Sequence, residues 1–190
     1  MHASPRAFIL GHPVAQSRSP MIHGYWLKAM GIDGAYDFQD VTTEGLPAFF
    51  EGLRAGGYVG GNVTAPHKSA VIPFLARTDA AANAIGAVST IWTEDGRYVG
   101  GNADAHGFLG NIDERCPGWD GQARRATVLG AGGAARAVAY ALLERGLVVT
   151  VVNRTPERAA ALAAHFDNRV EAMPWDAATG LLPVTDLLVN

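Results

Sequence analysis

Lys68 is the residue of this chain with the widest chemical range. It closes the segment Asn62-Val63-Thr64-Ala65-Pro66-His67-Lys68, in which a polar, strand-like stretch runs into a proline. Strand-to-helix junctions of this kind are where α/β proteins hold their ligands. A lysine there serves as an anion contact, a Schiff-base former or a proton shuttle. Ser17-Arg18-Ser19-Pro20 places two hydroxyls at an expected helix start, where hydroxyls and free backbone N–H groups suit a small carboxylate. Plain N-capping by Ser19 is the competing reading. Asp104, after Gly100-Gly101-Asn102-Ala103, is either an acidic site residue or the cap of a helix starting near His106. His67 and His106 are acid/base candidates beside these, with packed or solvated histidine as the alternative.

A second kind of chemistry is written in glycine. Val128-Leu129-Gly130-Ala131-Gly132-Gly133-Ala134-Ala135-Arg136 follows the strand–turn–helix logic of a dinucleotide site. Its glycines let backbone approach a pyrophosphate, whose charge then sits at a helix N-terminus. A plain tight turn needing glycine is the alternative. The next strand ends in Asn153-Arg154-Thr155, with Arg158 one helical turn on and no acidic residue at the tip. An arginine there pairs with a ribose 2′-phosphate, whereas an acidic residue would take the free 2′-OH. NADP(H) is therefore favoured over NAD(H), against a reading of two solvated surface arginines.

The bulk properties exclude several classes. The 190 residues carry a formal net charge of -3 and 17% charged residues, without the basic surplus that nucleic acid or anionic membrane demands. No apolar run is long enough to span a bilayer, and no signal-peptide core opens the chain, so the cytoplasm is the default compartment. The single cysteine, Cys116, rules out an internal disulfide, and the histidines at 2, 12, 23, 67, 106 and 165 fall at no metal-ligand spacing. No bound metal is expected.

The elements that position these residues alternate between strand and helix, the pattern of an α/β fold with a largely parallel sheet. Strands are expected at Ala7–Leu10, Tyr36–Val41 and Gly60–Thr64, with helices from Ser19, over Leu46–Leu53 and over Lys68–Leu75. Ser19 followed by proline, with Gly31 as the stop, marks the first helix. Ala87–Trp92 and Tyr98–Gly101 read as a hairpin through Asp95-Gly96, which makes the first sheet mixed. A hinge is expected in Cys116–Gly121, dividing the chain into domains 1–116 and 117–190. Past it come strands at Ala126–Leu129 and Leu147–Val152, helices at Ala134–Arg145 and up to His165, and a buried-type strand at Leu187–Asn190. A strand buried on both faces needs a crossover to cover it, so the chain reads as a truncated molecule.

Taken in order, Ser17 to Pro20, Asn62 to Lys68, Gly86 to Thr90, Asn102 to Gly107, Gly130 to Ala134 and Asn153 to Thr155 resemble the motif set of the shikimate dehydrogenase family. The resemblance covers essentially the whole chain. It implies an N-terminal substrate domain with a mixed, mainly parallel sheet, followed by the first part of a Rossmann NADP-binding domain. It implies NADPH-dependent reduction of 3-dehydroshikimate to shikimate in aromatic amino-acid biosynthesis. Ser17 and Ser19 would hold the substrate carboxylate, and Asn62, Thr64 and Ser89 would line the substrate. Lys68 and Asp104 would flank the reacting hydroxyl as the catalytic pair. Gly130, Ala131, Gly132, Gly133, Ala134, Asn153, Arg154, Thr155 and Arg158 would bind the cofactor. The family usually has asparagine where this chain has Ser89 and threonine where it has Ala103. Those departures admit a quinate- or aminoshikimate-type paralogue. Family members also continue past Asn190, which admits a non-catalytic NADP- or metabolite-binding fragment. A homodimer is left open.

Overall fold

Phe8, Ile9 and Leu10 are buried, and this apolar run makes Arg6–Gly11 (β1) the centre of the first sheet. The computed structural model describes residues 4–53 and 55–190; His2, counted above among the histidines, lies outside them. The remaining strands of the first sheet are Ala35–Asp40 (β2), Tyr58–Val63 (β3), Arg77–Thr78 (β4), Thr90–Glu94 (β5) and Arg97–Gly101 (β6). Their order is β2-β1-β3-β5-β6-β4. β1 runs parallel to both β2 and β3, whereas β5 is antiparallel to β3 and β6, so the sheet is mixed and mainly parallel at its functional edge. The hairpin turns at Asp95 and Gly96, both at positive φ (48° and 70°), as a two-residue turn of the primed kind requires.

Ser19–Ala29 (α1), Leu46–Leu53 (α2) and Ala80–Ile85 (α3) are the helices of this part. α2 buries Leu46 and Leu53, and Phe8 meets Phe49 and Tyr58 edge-on in the same core. α1 buries no residue, and Met21, Tyr25 and Met30 along it are exposed. It also begins differently from expectation. The carbonyl of Arg18 accepts the Ile22 N–H at 3.0 Å, so Arg18 takes the cap position and Ser19 is already helical.

The helix expected over Lys68–Leu75 does not form. The segment is a run of turns ending in a 3-10 helix at Ile72–Phe74. Pro73 has no N–H to donate, and its ring would strike the Ser69 carbonyl in an α-helix. The Lys68 carbonyl is also already taken, by the Val88 N–H at 2.7 Å.

The second sheet consists of Arg125–Leu129 (β7), Val148–Asn153 (β8), Val170–Pro174 (β9) and Leu187–Val189 (β10), all parallel, in the order β10-β7-β8-β9. The helices here are Asp104–Arg115 (α4), Trp119–Gln122 (α5), Gly133–Glu144 (α6), Pro156–His165 (α7) and Ala178–Leu181 (α8). Ala139, Leu142, Val149, Val151, Leu162 and Phe166 form its core. The chain divides into two compact units. One takes Ala87–Asn102 and the chain before Ala84; the other takes Ala84–Gly86 and Ala103–Asn190. The Cys116–Gly121 hinge region therefore lies inside the second unit. There Arg145, just past α6, bonds Asp113 and Asp120, at 2.6 and 2.5 Å, and the Trp119 indole N–H donates to Asp113, tying the segment and the end of α4 to the end of α6.

Candidate active site

In the first unit, the candidate residues gather at the carboxyl ends of β1 and β3. The Thr64 N–H donates to the Leu10 carbonyl at 2.8 Å, and the His12 N–H donates to the Ala65 carbonyl at 3.1 Å. Gly11 makes this approach possible, because a Cβ there would stand 2.6 Å from the Thr64 methyl and 3.0 Å from the Ala65 carbonyl. The Val63 N–H donates to the Ser89 carbonyl at 2.9 Å, and the Ser89 N–H donates to Gly101 at 2.9 Å. Together with the Val88–Lys68 bond, these contacts fix the backbone of Thr64, Lys68 and Ser89 relative to one another. Thr64 and Lys68 are half-buried; Ser89 is buried.

Ser17 and Ser19 are half-buried and adjacent, with the Ser17 hydroxyl donating to Ser19 Oγ at 3.2 Å. The Ser19 N–H donates to Ser17 Oγ at 3.3 Å, while the cap residue, Arg18, makes no side-chain bond to the helix. Asn62 is engaged within the fold. Its Oδ1 accepts the Tyr36 phenol at 2.7 Å, and its Nδ2 donates to the Ser89 carbonyl and Thr90 Oγ1, each at 3.4 Å. Burial pushes the Tyr36 phenol up to about 12, against the opposing pull of hydrogen bonds from Asn62 and Ser19.

His67 is completely buried. Its Nε2–H donates to the Val41 carbonyl at 2.6 Å, and Nδ1 has no partner, so it is a packed core histidine. Sequence reasoning missed Tyr36 and the pair His12–Asp40. Asp40 Oδ1 lies 2.6 Å from His12 Nδ1, and Oδ2 accepts the Val14 N–H at 3.4 Å. The hydrogen bond to His12 is the main reason the Asp40 carboxyl sits below its usual value. The signal was the register of β1 on β2, which sets Ala7 against Tyr36 and Gly11 against Asp40.

In the second unit, Asp104 opens α4 from its first turn, with Ala103 at the cap position. A carboxylate there faces the positive end of the helix. Asp104 thus belongs to the second unit, whereas Lys68 belongs to the first. His106 is exposed on the same helix.

The glycine turn joins β7 to α6. Gly130 has φ +118°, its N–H donates to the Val152 carbonyl at 2.8 Å, and a Cβ on Gly130 or Gly132 would meet nothing within 4 Å. Gly132 caps α6 without a side-chain bond, and Gly133 and Ala134 form its first turn. The open space above bare backbone donors fits a pyrophosphate. Leu129 pairs with Val152 in the ladder, which brings Gly130 and Ala131 beside Asn153. The Asn153 side-chain amide donates to the Thr155 carbonyl at 2.9 Å, and Thr155 takes the cap position of α7. Arg154 and Arg158 are exposed on that edge. Among the described residues, no group of three or more His, Cys, Asp or Glu is placed to hold a metal ion.

A four-stranded parallel sheet in this order, with a glycine turn where the order reverses beside β7, is the first part of a dinucleotide-binding fold. The comparisons with known proteins agree. The family profile described as "Shikimate dehydrogenase substrate binding domain" matches residues 9–91, and the one described as "Shikimate / quinate 5-dehydrogenase" matches residues 115–190. The chain is 54% identical over 186 residues to "Shikimate dehydrogenase (NADP(+))" of Brucella abortus (strain S19), covering 97% of this chain and 64% of that protein. It is similar to the crystal structure of shikimate dehydrogenase from Aquifex aeolicus (TM-score 0.87, 34% identity, 98% of this chain and 68% of that one). The structure of shikimate 5-dehydrogenase from Thermus thermophilus in complex with shikimate is similar at TM-score 0.81 and 43% identity, over 97% of this chain and 68% of that one. The chain belongs to the shikimate dehydrogenase family. It spans 64% of the length of the curated Brucella relative.

Proposed function

We propose that this protein carries out the NADP-dependent, reversible reduction of 3-dehydroshikimate to shikimate in aromatic amino-acid biosynthesis. One observation carries the reading: a single family member holds both the Lys68 loop, bound at the carboxyl ends of β1 and β3, and a bare glycine turn beside Asn153–Arg154. The Brucella relative is named for shikimate and NADP(+), and the Thermus structure holds shikimate, which supports the same substrate and cofactor here. Residues 1–116 are assigned to substrate and catalysis, and 117–190 to the nucleotide. The protein acts in the cytoplasm; among its described residues no helix is long and apolar enough to cross a membrane.

The chemistry follows from the side chains. Ser17 and Ser19 hold the carboxylate, while Thr64 and Ser89 line the ring, with Asn62 beside them. When bound, NADPH supplies a hydride to the ketone carbon. Lys68 gives a proton from Nζ to the ketone oxygen, and its positive charge stabilises the alkoxide forming there. In the reverse direction Lys68 takes that proton back. Asp104 is the second member of the proposed catalytic pair and holds a substrate hydroxyl. The backbone of Gly130–Ala134 holds the pyrophosphate, and Arg154 with Arg158 takes the 2′-phosphate in charge-assisted bonds beside Asn153 and Thr155.

The test is direct. Purified protein given shikimate and NADP should produce NADPH absorbance, with less from quinate or from NAD. Faster turnover of quinate than of shikimate would favour the second reading, which rests on Ser89: a short hydroxyl stands where the family usually places an asparagine. Calorimetric binding of both ligands without turnover would reduce the protein to a binding fragment and sink the catalytic reading.

A further inference from the structure

The loop that carries Lys68 is tied to the ends of two neighbouring strands by different kinds of bond. The ties to β1 are main chain: the Thr64 N–H donates to the Leu10 carbonyl at 2.8 Å, and the His12 N–H donates to the Ala65 carbonyl at 3.1 Å. The tie to Val41, just past the end of β2, is a side chain. His67 Nε2 lies 2.6 Å from the Val41 carbonyl oxygen. A carbonyl only accepts, so Nε2 carries the proton of that bond. The Val41 N–H in turn donates to the Gly11 carbonyl at 3.1 Å, which closes the ring of bonds back on β1.

The peptides on either side of Lys68 are fixed as well. The His67 N–H donates to the Thr64 carbonyl at 3.0 Å, the His67 carbonyl accepts the Val71 N–H at 3.0 Å, and the Lys68 carbonyl accepts the Val88 N–H at 2.7 Å. The main chain of Lys68 therefore runs between two held points. Packing alone does not account for the histidine at the first of them. Its ring is completely buried, and Nδ1 has no partner. A leucine would fill a similar volume without stranding a polar atom. What leucine could not do is bond the Val41 carbonyl.

We propose that His67 is a positioning residue for Lys68: its Nε2–H pins the loop to Val41 and so fixes the backbone from which Lys68 delivers its proton. This rests on the reading above that Lys68 is the proton donor. On this assignment the imidazole transfers no proton itself. Without the Nε2–H the loop loses its tie to the end of β2, whereas Ser17 and Ser19 keep their places. The loss therefore falls on turnover and not on substrate affinity.

Two experiments test this on the protein as it stands. His67→Leu keeps the bulk and removes the donor. It should lower kcat with shikimate and NADP by roughly ten- to a hundredfold, the effect of a small displacement of a reacting group, with shikimate KM within about threefold of wild type. His67→Gln offers an amide N–H in place of the Nε2–H and should recover kcat to within about fivefold of wild type. Wild-type kcat in His67→Leu, or a glutamine variant no better than the leucine one, would overturn the proposal. The second experiment needs no ligand. The Val88 N–H reports on the Lys68 carbonyl, and the Ala76 N–H, which donates to the Tyr98 carbonyl at 2.8 Å, reports on the β4–β6 side of the same unit. Hydrogen exchange followed by NMR should be at least about tenfold faster at Val88 in His67→Leu than in wild type, with Ala76 unchanged. No change at Val88 would overturn the anchor. An equal rise at both amides would overturn it too, because the histidine would then hold the whole unit and not the loop. Should His67→Leu fail to fold, His67→Asn, whose amide is too short to reach Val41, takes its place in both measurements. Should wild type show no turnover, the functional reading fails, and exchange at Val88 decides the anchor alone.

Discussion

On the proposed function, the two units would recognise their ligands by opposite means. In the first, side chains do the reading, and each is held by another: Ser17 by Ser19, Asn62 by Tyr36 and Ser89, His67 by Val41. In the second, the reading surface at the glycine turn is backbone from which side chains are missing. Gly130 and Gly132 leave open space, and α6 starts without a side-chain cap. On that reading the difference follows from the chemistry of the proposed ligands. A ring with several hydroxyls is told apart by donors and acceptors at fixed angles, which requires rotamers locked by neighbours. A pyrophosphate is nearly the same from every side and is met by N–H groups that a Cβ would only obstruct. The first surface tolerates little change in shape, and the second tolerates little addition.

Four substitutions test that contrast, beginning with the largest effect. Lys68→Ala should lower kcat by roughly a hundred- to ten-thousandfold, the usual worth of a positioned proton donor. NADP affinity by calorimetry should stay at the wild-type value, since the second unit is untouched; a parallel loss of NADP binding would erase the division of labour. Gly130→Val adds a branched side chain at φ +118°. It should weaken NADP roughly a hundredfold and cost about 1–3 kcal/mol of stability, measured by titration and denaturant melts. Shikimate binding should persist. Arg154→Ala should weaken NADP roughly ten- to hundredfold and leave NAD unchanged, with a shallower dependence of NADP binding on salt. Equal losses for both nucleotides would remove the 2′-phosphate assignment.

The smallest effect concerns acid. The Asp40 carboxyl is held below its ordinary value chiefly by His12. A depressed carboxyl stabilises the fold while ionised, above the unfolded value of about 3.9, and loses that contribution as pH falls through the lower folded value. His12→Ala should therefore melt slightly lower than wild type near neutrality. The two melting curves should converge as pH drops below about 4. A gap that widens in acid would contradict the assigned direction.

What was legible in the sequence was what local chemistry decides. Asp95-Gly96 fits its turn because both residues take positive φ, and Gly130–Gly133 marks the β7–α6 junction because few other residues fit there. The Lys68–Leu75 helix failed partly on Pro73, which was there to be read, and partly for a non-local reason: the Val88 N–H, twenty positions on, claims the Lys68 carbonyl. Tyr36 stayed invisible for a similar reason, since it reaches Asn62 across 26 positions through strand register. β4, α3 and the edge strand β9 are too short, at two, six and five residues, for a hydrophobic period to announce them.

The pairing of β10 with β7 sets an order of events in the making of the second unit. β7, α6 and β8 are consecutive, and so are β8, α7 and β9, so three strands assemble from near neighbours. β10 must instead return to β7, with Thr127 meeting Thr185 across 58 positions and Asp186 accepting the Arg124 and Arg125 N–H groups at 2.8 and 2.9 Å. Closing so wide a loop is slow compared with forming the local pairs. During synthesis on the ribosome, one edge of β7, with Ala126 and Val128 in it, stays unpaired until residues near 190 emerge. The carboxylate of Asp186, locking onto two backbone amides at the root of β7, is the latch that ends that interval.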